Sequence, residues 1–372
     1  MEKVKAGIIG CGNISDIYFT NLKRFGNIDL VSCADLIPER AKAKQEQHGV
    51  KACTVDELFA DKDIKIVVNL TIPKAHAEVN LQVLNAGKSV YLEKPLALSK
   101  KETQKVLDLA KKKKLLVGGA PDTFMGSGIQ ACRKLIDDGK IGEPIGVTAF
   151  MMCHGHESWH PAPEFYYQKG GGPMFDMGPY YLTAMVNLMG PVAEVAGMTR
   201  ITFPERTITS QPLNGKKVKV EVPTNVIGVM EFKNKAIGTI ITSFDIWAHQ
   251  MPCIEIYGKE GTLRVPDPNC FGGVPLIWTK SEPEWKEVKL THAFFDNSRG
   301  VGVSDMANAI LNKTSFRPSS KLTYHVLDLM ESFHVAATTG RTVKILSKCD
   351  KPLPMPVITK EQESNWFNKS MI

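Results

Sequence analysis

The sequence contains no apolar run close to the roughly twenty residues that a membrane-spanning helix needs. Residues 1–5 lead directly into a β-branched run, without the apolar segment of a signal peptide. The eight cysteines are scattered and never spaced as C-x-x-C, so we expect reduced, mostly buried thiols rather than a disulfide framework. The net charge of +7 comes without a basic stripe interleaved with aromatic residues. These absences predict a cytoplasmic protein with no membrane or nucleic-acid partner.

What is present is an ordinary globular composition. The 372 residues are 43% hydrophobic and 23% charged, and this length suffices for two domains. No internal repeat or low-complexity segment interrupts the chain. The densest lysine run, residues 111–114, lies where a helix is predicted to end, and cations there suit the helix dipole.

The chain begins with a strand, a glycine turn and a helix. An apolar run over residues 4–9 is followed by Gly10-Cys11-Gly12-Asn13-Ile14-Ser15 and then by a helical pattern. In a dinucleotide-binding fold the first glycine permits the tight turn, and the second lets the backbone approach a pyrophosphate. Ser15 replaces the third glycine and is small enough for close helix packing. We therefore predict a cofactor-binding turn at residues 10–14.

A carboxylate follows the second predicted strand. Asp35 lies about twenty residues past the glycines, where an acidic side chain binds the adenosine ribose hydroxyls. Its charge would repel a 2′-phosphate, and Leu36 and Ile37 offer no cation, so NAD is favoured over NADP; Arg40 on the next helix could reach back. Asp35 could equally cap the helix that begins near Pro38.

Strands and helices alternate up to about residue 122, which is typical of a doubly wound parallel sheet. From residue 123 the pattern changes to a helix, a long strand, a helix over residues 176–188 and then many adjacent strands. We predict an α/β protein with a Rossmann domain at residues 1–122. An α+β domain with a large open, mainly antiparallel sheet would occupy residues 123–372.

Glu93-Lys94-Pro95 closes the strand predicted at residues 89–92. A lysine at the carboxyl end of such a strand lies where open α/β sheets bind their ligands. Pro95 stops the strand and restricts the backbone beyond the ammonium group. The sequence thus predicts that Lys94 faces a sugar-like substrate beside a nicotinamide. A surface lysine before a turn remains the alternative.

A second cluster is Gly170-Gly171-Gly172-Pro173-Met174-Phe175-Asp176-Met177-Gly178-Pro179-Tyr180. The glycines allow the backbone to pass close to a ligand. Asp176 and Tyr180 are four residues apart, so on one helix they would share a face, and a carboxylate with a phenol can handle the proton of an alcohol. The alternative is that Asp176 is a helix cap and Tyr180 a core residue.

The three motifs together, in this order, resemble the Gfo/Idh/MocA oxidoreductases. The resemblance implies a Rossmann domain, a nicotinamide cofactor, a sugar or cyclitol substrate, and a dimer or tetramer formed through the open sheet. It implies catalytic roles for Lys94 and Asp176. Most members carry a histidine where this chain has Tyr180, which is similar to the glucose-fructose oxidoreductase branch. We hypothesise that Tyr180 accepts the substrate proton while Lys94 lowers the phenol pKa.

Further substrate contacts are predicted between the two clusters. His154 and His156 would face the same way on a strand, with Trp159 and His160 nearby; Trp159 could stack on a sugar ring. These histidines could also form a zinc site, but the resemblance implies no metal and none is predicted. Asp122 is a further predicted substrate contact. The predicted cofactor contacts are Gly10, Cys11, Gly12, Asn13, Ile14, Asp35, Thr71, Ile72, Pro73, His76, Glu93 and Lys94.

Three functions remain open from the sequence. The first is an NAD-dependent dehydrogenase of a sugar or cyclitol. The second is a glycoside hydrolase that uses bound NAD for transient oxidation, and the third is a non-catalytic NAD or sugar sensor. Lys94, Asp176 and Tyr180 argue for an enzyme. His325 and His334, on a predicted C-terminal helix, are assigned a structural role.

Overall fold

The structure, a computed structural model, describes residues 2–366. Met1 of the first predicted domain and residues 367–372 of the second lie outside this range. The first half of the chain alternates strands with helices. These elements are β1 (Val4–Ile9), α1 (Ser15–Leu22), β2 (Ile28–Ala34), α2 (Pro38–His48), β3 (Lys51–Ala52), α3 (Val55–Ala60), β4 (Ile66–Asn69), α4 (His76–Asn85), β5 (Ser89–Leu92), α5 (Lys100–Lys113) and β6 (Val117–Gly119).

The six strands form one parallel sheet in the order β3-β2-β1-β4-β5-β6. Neighbouring residues of β4 enter different cores: Ile66 and Val68 pack on one face, and Val67 packs on the other. Helices therefore cover both faces, and this explains why the strands read as continuous apolar runs. The predicted Rossmann architecture is confirmed.

Between residues 123 and 366 the structure contains a large sheet and five α-helices. These elements are α6 (Ser127–Asp137), β7 (Pro144–Met152), α7 (Gly172–Asp176), α8 (Gly178–Met189), β8 (Val192–Arg200), β9 (Glu205–Thr207), β10 (Lys217–Lys219), β11 (Asn225–Phe232), β12 (Ile237–Ser243), β13 (Ile254–Gly258), β14 (Gly261–Val265), β15 (Leu276–Thr279), β16 (Lys286–Glu287), α9 (Val301–Asn312), α10 (Ser320–Thr339) and β17 (Val343–Lys344).

Nine of these strands form a mixed sheet in the order β16-β15-β14-β13-β7-β12-β11-β8-β17. Only the β12–β7 pair is parallel, so the prediction of a mainly antiparallel sheet is confirmed. One face packs on α10, where Phe333 fits against the bare backbone of Gly228. Strands β9 and β10 form a separate small hairpin.

Two local predictions need correction. Helix α3 was not predicted, although Thr54 and Glu57 form a reciprocal capping box that marks its start. The helix predicted over residues 176–188 is instead two helices that meet at Met177. Pro179 supplies no N–H to continue the first helix, so a new helix begins at Gly178.

The C-terminal part returns to the Rossmann sheet through α9. The side chain of Asn27, before β2, donates to the backbone oxygen of Ser304 at 2.9 Å and accepts from its hydroxyl at 2.9 Å. Helix α9 thereby holds the two halves together, and the domain boundary at residue 122 stays a prediction. Among residues 2–366 no helix is long and apolar enough to cross a membrane.

Candidate active site

The glycine turn closes the carboxyl end of β1. Gly10 adopts a φ of +100°, and a Cβ there would lie 2.6 Å from the carbonyl carbon of Leu70. The Ser15 hydroxyl donates to the Gly12 oxygen at 2.6 Å and fixes the turn. At Gly12, by contrast, an added Cβ would meet no atom within 4 Å. The turn is thus constrained from inside at Gly10 and open outward at Gly12.

Asp35 lies beside this turn, at the carboxyl end of β2. Its Oδ2 accepts from the Cys11 N–H at 2.7 Å, and its Oδ1 accepts from the Ile37 N–H at 2.9 Å. Large apolar side chains are exposed around the same edge: Leu36 is 91% exposed and Ile72 is 68% exposed. An open backbone for a pyrophosphate, a carboxylate for a ribose and apolar surface for flat rings fit a dinucleotide.

The loop after β4 contributes Thr71, Ile72 and Pro73 to this edge, and His76 supports the loop from beneath. The His76 ring is fully buried, with Nδ1 2.7 Å from the Pro95 oxygen and Nε2 2.9 Å from the Thr71 oxygen. The predicted cofactor contact of His76 is therefore corrected. Both ring nitrogens are already engaged by backbone oxygens, and the residue positions the two loops it joins.

Glu93 is fixed by the helix that follows the glycine turn. Tyr18 of α1 donates to Glu93 Oε1 at 2.7 Å, and Oε2 of Glu93 accepts from the Lys94 N–H at 3.1 Å. The Lys94–Pro95 peptide bond is cis. The Glu-Lys-Pro segment and the cofactor turn are therefore held as one unit.

Lys94 and Asp176 form a mostly buried ion pair between the two halves of the chain. Lys94 Nζ lies 2.8 Å from Asp176 Oδ1 and donates to the Asp176 backbone oxygen at 2.7 Å. Burial alone would lower the pKa of Lys94, but Asp176, Tyr180 and Glu93 together outweigh burial and the pKa is raised. The ammonium group stays charged at neutral pH, and the surface-lysine alternative is excluded.

Tyr180 lies at the start of α8 with its ring centroid 5.5 Å from Lys94 Nζ. Asp176 ends α7, so the two residues converge on Lys94 from different helices and not from one shared face. Burial raises the pKa of Tyr180, and Lys94 and Arg299 lower it only in part. Lys94 thus lowers the phenol pKa as expected, but burial has the larger effect and the phenol is protonated at neutral pH.

Arg299 is a neighbour that sequence reasoning did not find. Its guanidinium lowers the pKa of the Tyr180 phenol and donates to the side-chain oxygens of Asn297 and Asn269, each at 2.8 Å. The residue precedes Gly300, which has a φ of +103° and begins α9. The only sequence signal was a polar loop before a helix, and this does not indicate that Arg299 reaches residues of another segment.

The histidine-rich loop follows β7, which ends at Met152, so the prediction that His154 and His156 face the same way on a strand is wrong. His154 stacks on Trp247 with ring centroids 3.3 Å apart, whereas His156 Nε2 lies 3.6 Å from Asp176 Oδ2. Trp159 is 62% exposed and lies near both His156 and His160. Within residues 2–366 no three His, Cys, Asp or Glu side chains are grouped to hold a metal ion.

A buried ionic network fixes this loop and was also not predicted. Arg206 of β9 forms ion pairs with Glu157 at 2.7 Å and with Asp245. Tyr167 donates to the other oxygen of Glu157, and Thr224 donates to Asp245 at 2.8 Å. These partners could not be predicted because they lie far apart in the sequence. The β9–β10 hairpin thereby clamps the segment that carries His156.

Asp122 binds backbone groups inside the protein, which corrects its prediction as a substrate contact. Its Oδ2 accepts from the backbone N–H groups of Gly300 at 2.9 Å and Gly302 at 3.0 Å. The buried carboxyl thus satisfies the N-terminus of α9. His325 is also structural as predicted, since its ring lies 2.8 Å from the Ser347 hydroxyl and accepts from the Val192 N–H.

Comparison with known proteins agrees with this geometry. Residues 4–119 match the family described as oxidoreductase family, NAD-binding Rossmann fold, and residues 129–264 match the GFO/IDH/MocA C-terminal domain. An inositol 2-dehydrogenase/D-chiro-inositol 3-dehydrogenase of Lactiplantibacillus plantarum is 33% identical over 329 residues, which cover 85% of this chain and 86% of that protein.

Two solved structures share the fold. An NAD-binding oxidoreductase from Klebsiella pneumoniae has a TM-score of 0.81 at 20% identity and covers 93% of this chain and all of its own. Levoglucosan dehydrogenase in complex with NADH and L-sorbose has a TM-score of 0.80 at 19% identity, with coverage of 93% and 99%.

Proposed function

This chain belongs to the Gfo/Idh/MocA family and is an NAD-dependent oxidoreductase, and we propose that it transfers a hydride between the nicotinamide and a hydroxyl carbon of a sugar, a sugar derivative or a cyclitol. The observation that carries the proposal is the Lys94–Asp176 ion pair, 2.8 Å long, on the edge of the sheet that carries the cofactor turn. The dehydrogenase relatives support this function over the hydrolase and the sensor.

Each residue of the site has a role that follows from its position. Lys94 is a fixed cation that stabilises negative charge on the reacting oxygen. Asp176 holds the ammonium group of Lys94 in place. Tyr180, kept protonated by burial, would contact the same oxygen as a hydrogen-bond donor. That Tyr180 itself accepts the proton stays a prediction.

The cofactor contributes a carbon that accepts or gives the hydride, and the protein contributes its position. The residues that would hold it are the turn at 10–14, Asp35, the loop at 71–73 and Glu93. Asp35 favours binding of NAD over NADP. Its carboxylate accepts a hydrogen bond from the cofactor turn and would there repel the 2′-phosphate of NADP. Trp159, His154 and His160 would contact the substrate from the other side.

The test is the absorbance of reduced nicotinamide after pure protein is mixed with NAD and a panel of myo-inositol, D-chiro-inositol, glucose and levoglucosan. We expect turnover with one or more of these and a loss of at least about 100-fold in Lys94→Ala. An absence of turnover across the panel, with NAD bound, would argue against the proposal.

Lys100→Ala is a matched control. Lys100 forms an ion pair with Asp328, also 2.8 Å long, outside the site. Its loss should lower stability without changing kcat. Equal loss of activity in both variants would mean that Lys94 acts only through folding.

We further propose that two copies associate through the open face of the nine-stranded sheet. Met198, which is 80% exposed, stands opposite Ile227 on that face, and Val229 and Ile237 are exposed beside them. An apolar face of this kind marks an interface between chains. Sedimentation should show a dimer or tetramer, and Met198→Glu with Ile227→Glu should weaken this association.

The eight free thiols support a cytoplasmic location for the protein. Fractionation of cells would test this location.

A further inference from the structure

We propose that His156 and Asp176 form a carboxylate–imidazole dyad that accepts the proton of the reacting hydroxyl group. The inference rests on the proposed function and assigns the one step which that function leaves open. The residue that accepts the substrate proton would then be His156, 24 residues before Tyr180 in the chain, and not Tyr180 itself.

The carboxylate of Asp176 connects two functional groups. Its Oδ1 lies 2.8 Å from Lys94 Nζ, and its Oδ2 lies 3.6 Å from His156 Nε2. A carboxylate on one ring nitrogen orients the imidazole and stabilises the cation formed when the other nitrogen takes a proton. Lys94 at the substrate oxygen and His156 as the proton acceptor would thus share one orienting group.

The other nitrogen of His156 has no protein partner. His156 is only 8% exposed, and its Nδ1 is buried without a hydrogen bond in the described part of the chain. An unpaired buried polar atom is unfavourable, so such an atom calls for an explanation. A substrate hydroxyl would supply the missing partner.

The ring is held rigidly in this orientation. It stacks on Tyr166 with centroids 3.8 Å apart and an interplanar angle of 14°, and Phe244 packs edge-on at 4.7 Å. The Arg206 network fixes the adjacent Glu157. A proton acceptor gains from such fixed geometry, because productive transfer depends on alignment.

Burial, with the charges around it, keeps the His156 imidazole unprotonated and able to accept a proton. Burial lowers its pKa, and so do His160 and Lys94, while Asp176 and Glu157 raise it less. Tyr166, stacked on the ring, has a pKa raised to about 12 by burial and is neutral. At neutral pH His156 is therefore unprotonated, whereas the Tyr180 phenol keeps its proton.

In the oxidation direction the atoms balance as follows. The O–H bond of the substrate breaks and its proton passes to His156 Nδ1. The hydrogen on the carbinol carbon leaves as hydride to the oxidised nicotinamide, and the carbon–oxygen bond becomes a carbonyl. Reduction reverses both transfers.

The first test compares pH profiles of kcat/KM for wild type, His156→Asn and Tyr180→Phe, on the substrate identified from the panel of four polyols and sugars. We expect a loss of at least about 100-fold in His156→Asn, together with loss of the acidic limb of the profile. NAD binding should be unchanged. His292→Asn is the control, since His292 is 7% exposed but lies outside the site.

The opposite result would assign the proton to Tyr180. His156→Asn would then keep at least a third of wild-type kcat/KM and its acidic limb, and Tyr180→Phe would lose the activity. Added imidazole should restore part of the rate to His156→Ala only if the histidine acts chemically.

The second test needs no substrate. The C2–H proton NMR signal of His156 is titrated in wild type and in Asp176→Asn. Loss of the Asp176 charge should move the midpoint to lower pH by roughly one pH unit or more. An unchanged midpoint would overturn the dyad. Failure of the wild type to turn over any panel substrate would count against the proposed function, while this titration would still decide the inference.

Discussion

The Tyr18 hydroxyl donates a hydrogen bond to Glu93 Oε1 at 2.7 Å. This bond joins the helix after the cofactor turn to the end of β5, where Lys94 lies. The tyrosine is fully buried in α1, directly after the glycine turn, and the glutamate precedes Lys94. Movement of either segment is therefore transmitted to the other. This coupling suits an enzyme that must align a nicotinamide with a substrate held by Lys94.

Tyr18→Phe should weaken this coupling while the fold remains intact. The variant removes the donor to Glu93 Oε1, and the loss of this hydrogen bond at a half-buried carboxylate costs about 1–2 kcal/mol. We expect a lower melting temperature and a fall in kcat/KM of about tenfold. Tyr257→Phe, which removes a 3.0 Å bond to Thr148 in the large sheet, is the control. It should lower stability without changing kcat/KM for NAD.

Gly12→Ala should separate cofactor binding from stability. The added Cβ meets no protein atom, so the melting temperature of the free protein should stay within about a degree of wild type, as for neutral surface changes. The same Cβ would occupy the space where the backbone approaches a pyrophosphate. Fluorescence titration should show NAD binding weakened by at least about tenfold.

Gly10→Ala is its counterpart. Here the residue has a positive φ and the new Cβ would collide with Leu70, so the protein itself should lose several kcal/mol, about 1–3 from the backbone alone. If Gly12→Ala destabilised the free protein as strongly as Gly10→Ala, the open space at Gly12 would not be a cofactor site.

Asp35→Ala should change the choice of cofactor. The carboxylate accepts from Cys11 and stands where a ribose would bind, so its loss removes both a turn contact and the repulsion of a 2′-phosphate. We expect the ratio of kcat/KM for NAD over NADP to fall by about tenfold or more. Glu39→Ala removes a carboxylate from the nearby first turn of α2 and should leave that ratio unchanged. An unchanged ratio in Asp35→Ala would contradict the assignment.

The cofactor edge and Lys94 could be predicted because their geometry follows from local pattern. Strands in a parallel sheet all end at one edge, so residues that directly follow β1, β2, β4 and β5 must gather there.

Contacts between distant segments could not be predicted in this way. Asp122 looked like a substrate ligand, but its partners lie 178 and 180 residues away. The meeting of His156 with Asp176 depends on how the β9–β10 hairpin holds the loop, and nothing in the local sequence specifies that packing. The break between the two helices at Met177 could, in contrast, have been predicted, because Gly178-Pro179 interrupts the helical pattern.

Asp122 should make the stability of the protein fall as the pH rises through mild acid. Burial raises its pKa to about 6, although the N–H groups of Gly302 and Gly300 oppose this, and in an unfolded chain its pKa is about 3.9. The folded state thus holds the proton more tightly. Its contribution is full below about pH 4 and is lost as the pH rises to about 6, a difference of roughly 2–3 kcal/mol.

Asp122→Asn isolates this effect, because the amide oxygen still accepts from Gly300 and Gly302 but does not titrate. Urea unfolding at intervals between about pH 4 and pH 7 should show wild type losing stability relative to the variant across this window. Asp63→Asn is the control: Lys5 lowers the pKa of Asp63, so wild type should lose stability relative to that variant as the pH falls. Parallel curves for wild type and Asp122→Asn would show that the buried carboxyl stays ionised throughout and that its two backbone donors outweigh burial.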